Sequence, residues 1–325
     1  MGRLARLLAR LERILALSES LLAELTGPAF DEALLENCRA FRWDSERGPG
    51  RLVPVPEPAR FDLGDLVGVD GAVANLVRNT EQFLHGLPFN HVLLYGDRGT
   101  GKSSAVRGLL ERFGGQGLRL VEVERRDLVH LPRVLAAIRQ YGAGRGYASR
   151  ALAGAGRGYA SRALAGAGRA RFVIYCDDLS FGPGESGYRE LKAVLEGSID
   201  APPENVCLVA TSNRRHLVPQ TMADNRAAEL DEQNELHLGE ALEEKLALSD
   251  RFGLKIGFYC FDQATYLAIV EHYLVREEIG LGLEEVREEA LRWAQRNASR
   301  TGRSARQFVN DLAGRRALEK KRARP

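Results

Sequence analysis

The chain has no apolar run near the roughly 20 residues that a bilayer-spanning helix requires. It has little cysteine: Cys38, Cys176, Cys207 and Cys260, none of them in a C-x-x-C pair. That pattern gives no support to a zinc ribbon or a thioredoxin-like redox centre. Cys176 and Cys207 sit inside apolar runs and read as small buried hydrophobes. Without a disulfide framework a reducing compartment fits best, so a cytoplasmic protein with no membrane span is expected. An excess of charge is also missing: the 325 residues carry a net charge of +2, which names no partner. A leader is not legible, because Arg10 and Arg13 interrupt the N-terminal apolar stretch and Glu12, Glu19 and Glu24 are too many acids for a transit peptide.

What is present is the mix of a globular protein with a sizeable core, 44% hydrophobic and 28% charged. The length suggests two or three units. In residues 1–26, leucines from Leu4 to Leu25 recur at helical spacing, which predicts an amphipathic helix packed on the main domain or on a partner subunit, with a membrane surface as the alternative for a basic helix of this kind. Gly48 to Pro58, with Pro49, Pro54 and Pro56, reads as a linker. Beyond it apolar strands alternate with helices. Strands are expected at His91–Tyr95, Leu118–Val123, Phe172–Cys176 and Val206–Thr211, and helices at Ser103–Phe113, Leu131–Gln140 and Tyr188–Glu196. Such alternation implies a parallel sheet covered on both faces. From Asp262 onward only helices are expected, with Asp262 and Ser304 as N-caps. Residues 144–155 recur unchanged as residues 156–167. Two Gly/Ala/Arg-rich copies are too few and too short for a solenoid, so the repeat reads as a surface insertion.

The chemistry concentrates in Gly96-Asp97-Arg98-Gly99-Thr100-Gly101-Lys102-Ser103, which fits G-x-x-x-x-G-K-[ST] and is followed by Ser104. Glycines let a backbone curl so that its N–H groups converge on phosphate oxygens, and a helix beginning near Lys102 adds its positive end. Lys102 is expected on the β/γ-phosphates and the Ser103 hydroxyl on Mg²⁺. The loop from Gly96 to Ser104 therefore predicts ATP with Mg²⁺. Asp177 and Asp178 close the FVIYC strand, at the sheet edge where ligands bind. Asp177 would hold Mg²⁺, largely through water, and Asp178 would orient or deprotonate the attacking water. Asn213 ends the next strand, where an amide can bond the γ-phosphate and that water without competing for metal. Arg251 and Arg306 are cations suited to charge spread over γ-oxygens, although either alone also reads as a surface ion-pair partner.

This ordered set resembles the AAA+ ATPases. The segments LLYGDRGTGKSS, DDLSF, LKAVLEG, ATSNRRHL, LSDRFGL and GRSARQF are similar, more narrowly, to a bacterial family of predicted AAA+ ATPases whose role is unassigned. The resemblance spans roughly residues 60 to 312. It implies an α/β P-loop NTPase: a three-layer core with a parallel sheet, an N-terminal helical segment and a C-terminal all-helical lid. On that reading residues 1–58 are the helical segment and linker. Residues 59–260 are the nucleotide-binding domain, with an insertion at 141–168, and residues 261–325 are the lid with a basic tail. The resemblance makes Gly96–Ser103 the Walker A motif, Phe172–Asp178 the Walker B motif and Asn213 sensor 1. Arg251 becomes an arginine finger acting on a neighbouring subunit, Arg306 a sensor 2 arginine, and Val67–Leu76 the segment lining the adenine pocket. It also implies a homo-oligomer. One departure matters: Asp178 stands where most members carry Glu, and an acid one methylene shorter predicts slow hydrolysis.

Between Asp127 and Asp177 there is no acidic residue, while eight arginines occur from Arg133 to Arg171, with Tyr147 and Tyr159 interleaved among them. The C-terminal run Arg315, Arg316, Lys320, Lys321, Arg322 and Arg324 adds a second basic patch. Arginines interleaved with rings suit single-stranded nucleic acid; solvated loops of an arginine-favouring genome are the blander reading. The expected function is an ATPase that couples ATP binding and hydrolysis to conformational change in an oligomer, with remodelling or loading on nucleic acid as one use. A slow nucleotide-controlled switch or scaffold and a protein-remodelling chaperone are the alternatives, and no protein partner is identified.

Overall fold

The computed structural model describes residues 37–46, 48, 50–142, 170–181, 187–196, 203–213, 229–230, 236–237 and 248–322. The expected N-terminal helix and the tandem repeat lie outside the described residues, as does Arg324.

The strands are β1 (Ala40–Asp44), β2 (Arg51–Val55), β3 (Val92–Gly96), β4 (Leu118–Glu122), β5 (Arg171–Cys176), β6 (Val206–Ser212), β7 (Glu229–Leu230), β8 (Leu236–His237) and β9 (Leu254–Phe258). The helices are α1 (Asp70–Leu84), α2 (Lys102–Phe113), α3 (Leu131–Gly142), α4 (Gly187–Glu196), α5 (Gln263–Arg276), α6 (Leu283–Arg296) and α7 (Gly302–Arg322). Seven strands form one sheet in the order β2-β1-β4-β5-β6-β3-β9. All its pairings are parallel except β1 with β2.

Alternation along each strand divides the interior into two layers. On β5, Phe172, Ile174 and Cys176 face a core closed by Leu131, Val134 and Ile138 of α3 and Leu191 and Val194 of α4. Val173 and Tyr175 face the opposite core, closed by Leu76 and Phe83 of α1 and Val106, Leu109 and Phe113 of α2. A third core, with Tyr266, Val270, Ala290, Ala294, Phe308 and Val309, joins α5, α6 and α7 into a separate three-helix unit. The fold is therefore a three-layer α/β arrangement, a mostly parallel sheet between two helical layers, with a separate three-helix unit.

Three local expectations are corrected. The stretch read as a linker contains β2, and residues 40–44, also unassigned, form β1. Together they extend the sheet as an antiparallel pair. Pro54 is tolerated because β2 is an edge strand, where the missing N–H removes no internal ladder bond. Strand β9 was not legible either, since Lys255 and Gly257 break its apolar pattern. Ser304 is not the N-cap of α7; it is buried in the first turn, and its N–H donates to Thr301 Oγ1 at 3.3 Å. Asp262 does cap α5, accepting the Thr265 N–H at 2.8 Å.

Beside β3, His91 Nδ1 accepts the Leu208 N–H at 3.2 Å. Burial pushes its pKa down from 6.5 to about 4. Between those values the unfolded chain binds the proton and the folded chain does not, so stability should fall as pH drops from about 6.5 to about 4, then level off. The loss should reach up to about 3 kcal/mol. Denaturant unfolding at pH 7 and pH 4.5 checks this, and His91→Asn, which keeps an acceptor, should show a smaller loss between the two.

Candidate functional site

A cleft of about 820 Å³ opens between the C-terminal edge of the sheet and the three-helix unit. The loop after β3 forms its floor. Lys102, 7% exposed, lies at its centre. Its Nζ donates to the carbonyls of Gly96 (2.8 Å) and Asp97 (2.6 Å) and to Asn213 Oδ1 (3.2 Å). Burial pulls the Lys102 pKa down, against the raising charges of Asp97, Asp178 and Asp177. Asp97 is a fixed point: its N–H donates to Phe258 O at 2.9 Å and its carboxylate accepts the Cys260 N–H at 2.8 Å.

The carboxylates come from the end of β5. Ser103 Oγ donates to Asp177 Oδ1 at 2.8 Å, and Thr211 Oγ1 donates to the same oxygen at 2.6 Å. Burial alone would raise the Asp177 pKa; the hydrogen bonds, Thr211 foremost, outweigh it and hold the group below its ordinary value. Asp178 has φ 49°, left-handed backbone that is uncommon for a residue with a side chain. Its N–H is held by Thr211 Oγ1 at 2.9 Å and Asp177 Oδ1 at 3.1 Å, which fixes that conformation. Asn213 Nδ2 donates to Asp178 Oδ1 at 2.5 Å.

The structure brings Arg98, Gly99, Thr100, Gly101, Lys102, Ser103, Ser104, Asp177, Asp178, Asn213 and Arg306 to one cleft. Gly96 and Asp97 lie behind the wall, where their carbonyls brace Lys102. Arg251 does not line this cleft; it pairs with Glu196 at the end of α4. Of the segment 67–76 only Val67 lines the cleft, and that wall is instead built by Ala59, Arg60, Phe61, Asp65 and Leu66.

Sequence reasoning missed several lining residues. Thr211 is a polar end to an otherwise apolar strand, a signal that was present. Phe261, Tyr273 and Arg303 come from the lid and carry no local signature. Asp65, only 6% exposed, accepts from His272 Nε2 at 2.9 Å and pairs with Arg276, so it ties the core to α5.

The donor set fits a nucleotide and a hard cation. Ser103 and Asp177 present oxygens side by side, the ligand type Mg²⁺ takes. Gly99 lacks a Cβ, which lets the start of α7 approach the loop closely: one placed there would meet Thr301 Oγ1 at 2.9 Å. Among the described residues, no helix is long and apolar enough to cross a membrane.

The chain is similar to several solved structures. Thermotoga maritima RuvB, a Holliday junction branch migration motor, is 14% identical over 77% of this chain and 63% of that chain, with a TM-score of 0.45. The Aeropyrum pernix ORC1 protein in complex with DNA is 20% identical over 77% of this chain and 61% of that chain, also with a TM-score of 0.45. The chain thus spans less than two thirds of either structure. No curated protein matches it. A family match covers residues 36–144 and 162–316, and the stretch it leaves out falls inside the tandem repeat. Most of the sequence is thereby accounted for, and the chain belongs to the family described as "Protein of unknown function (DUF815)".

Proposed function

We propose that the chain is an ATPase that binds ATP with Mg²⁺ in this cleft and works as an oligomer. One observation carries the reading. Lys102 and Ser103 from the first turn of α2, Asp177 and Asp178 just after β5, and Thr211 and Asn213 at the end of β6 form one hydrogen-bonded network at the edge of the cleft. Three strands deliver complementary groups for a phosphate, a cation and a water to one place. Bound Mg²⁺ would neutralise charge on the phosphates. Ser103 and Asp177 would hold it. Lys102, freed from its own loop carbonyls, would meet the phosphate oxygens. Asp178, oriented by Asn213, would take the proton of the attacking water. The rings of Phe61, Phe261 and Tyr273 supply an apolar wall suited to a base.

Arg251 lies outside its own cleft and is 24% exposed. Its proposed target is the γ-phosphate of a neighbouring subunit. ATP turnover per subunit should therefore climb with protein concentration and then saturate. Arg251→Ala should lower the plateau by at least about 100-fold. A clear rate that stays flat with concentration would refute the trans role. ATP binding without turnover would favour a slow nucleotide-controlled switch, a reading to which the short Asp178 side chain lends support.

The finer question is what the ATPase moves. The exposed end of α7 carries Arg316, Lys320, Lys321 and Arg322 beside Arg315, which is engaged by Glu289 and Asp311. This basic turn supports a nucleic-acid partner. Retention of labelled single-stranded DNA on a filter with ATP at low salt tests it, and no retention would rule this partner out.

A further inference from the structure

From Phe172 to Cys176 the strand β5 is apolar but for one hydroxyl, that of Tyr175, two positions before Asp177. Alternation turns Tyr175 to the face that α2 covers, and it packs in that core at 4% exposure. Strand β6 runs alongside in parallel, with Val209 opposite Tyr175. Asp177 and Thr211 therefore both lie two positions further on, toward the cleft. Ser103 reaches the same spot from the first turn of α2. The phenol oxygen stands within reach of all three side chains.

That oxygen is nevertheless buried and completes no hydrogen bond of ordinary geometry. The reason lies with its nearest acceptor. Asp177 Oδ1 already takes Thr211 Oγ1 at 2.6 Å, Ser103 Oγ at 2.8 Å and the Asp178 N–H at 3.1 Å. Three donors on one oxygen already exceed its two lone pairs. The phenol is the donor left over. A buried hydroxyl without a partner is destabilising, and phenylalanine would fill the same space without that penalty. The hydroxyl thus calls for a partner that the site without a cation does not give it. Ser103 is the donor that can make room, because the cation would claim its oxygen.

We propose that Tyr175 is a positioning residue of the cation site: its O–H takes up the place on Asp177 that Ser103 yields when the Ser103 oxygen turns to Mg²⁺. The proposal rests on the nucleotide reading above. Ser103 and Tyr175 then hold Asp177 in turn, with Thr211 as the constant partner. The carboxylate keeps its orientation whether or not the cation is bound.

Tyr175→Phe removes the oxygen alone. The full chain, unaltered or carrying that change, is titrated with Mg²⁺ against a fluorescent, slowly hydrolysed ATP analogue. The variant should need about 10-fold more Mg²⁺ for half of the effect, the low end for a hydrogen bond to a charged group. Its affinity for the analogue in excess EDTA should change by less than about 2-fold. Its denaturant midpoint without Mg²⁺ should hold or rise, because the lost hydroxyl had no partner. Tyr266→Phe is the control. It removes a buried hydroxyl that does have a partner, Ala290 O at 3.3 Å in the three-helix core. It should lower the midpoint and leave the Mg²⁺ requirement as it was. An unchanged Mg²⁺ requirement in Tyr175→Phe would overturn the proposal whatever the midpoint does, as would an equal loss of affinity with and without Mg²⁺. If the unaltered chain fails to bind the analogue, or binds it with no effect of Mg²⁺, the reading of the cleft as a site for nucleotide and cation falls, and this proposal with it.

Discussion

Lys102→Ala should reduce ATP turnover below about 1% and weaken ATP by about 100-fold, the equivalent of one strong charge-assisted hydrogen bond. The expectation follows from what the ammonium now holds. Its three contacts are two carbonyls of its own loop and the Asn213 side chain, with only 7% of the residue exposed. Alanine leaves those acceptors facing inward with no donor, so the loop loses its brace as well as its phosphate ligand. Arginine should not rescue the variant. A flat, forked guanidinium cannot enter a site that seats a compact ammonium between two successive carbonyls. Titration calorimetry with ATP and a phosphate-release assay read the two effects separately. Turnover above about a tenth of the original would mean that catalysis does not run through this loop.

How much of this was legible beforehand differs by element, for physical reasons. The loop and its flanking strand and helix were readable because both the apolar run and the glycine spacing are local. Asp177, Asp178 and Asn213 were readable because a polar group abruptly ends an apolar strand. The edge hairpin was not, since Pro54 and its neighbours look like a linker unless an existing sheet edge is there to accept them. The N-cap of α7 went to Thr301 rather than Ser304 because Ser304 is buried against the lid, a tertiary choice that no local pattern encodes. Arg303 stayed hidden for a related reason. It is placed at the cleft by its contact with Gly99, about two hundred positions earlier in the chain. Even the loop glycines answer to protein contacts as well as to phosphate.

Gly96→Ala shows this most sharply and should be the most damaging single methyl group in the core. Gly96 has φ 125°, a region closed to ordinary side chains, at the last position of β3. A Cβ there would lie 1.9 Å from Phe258 O and 2.7 Å from Phe258 C on β9. The obstacle is backbone, so no rotamer relieves it. Moving β9 away would break the Gly96–Phe258 pairing and the bond from Asp97 N–H to Phe258 O at 2.9 Å. Strained dihedral and overpacking together should cost about 2–5 kcal/mol. The same shift would displace Asp97, whose carbonyl holds Lys102, so ATP affinity should fall along with the denaturant midpoint. Gly314→Ala is the matched control. Gly314 lies within α7 with nothing within 4 Å of a built Cβ, and alanine there should raise stability by up to about 1 kcal/mol. If the two variants unfold at the same denaturant concentration, the close passage of β9 behind the loop is not what fixes its shape. A lowered midpoint for Gly96→Ala alone would establish that the glycine opening the phosphate loop is required by the sheet before any nucleotide arrives.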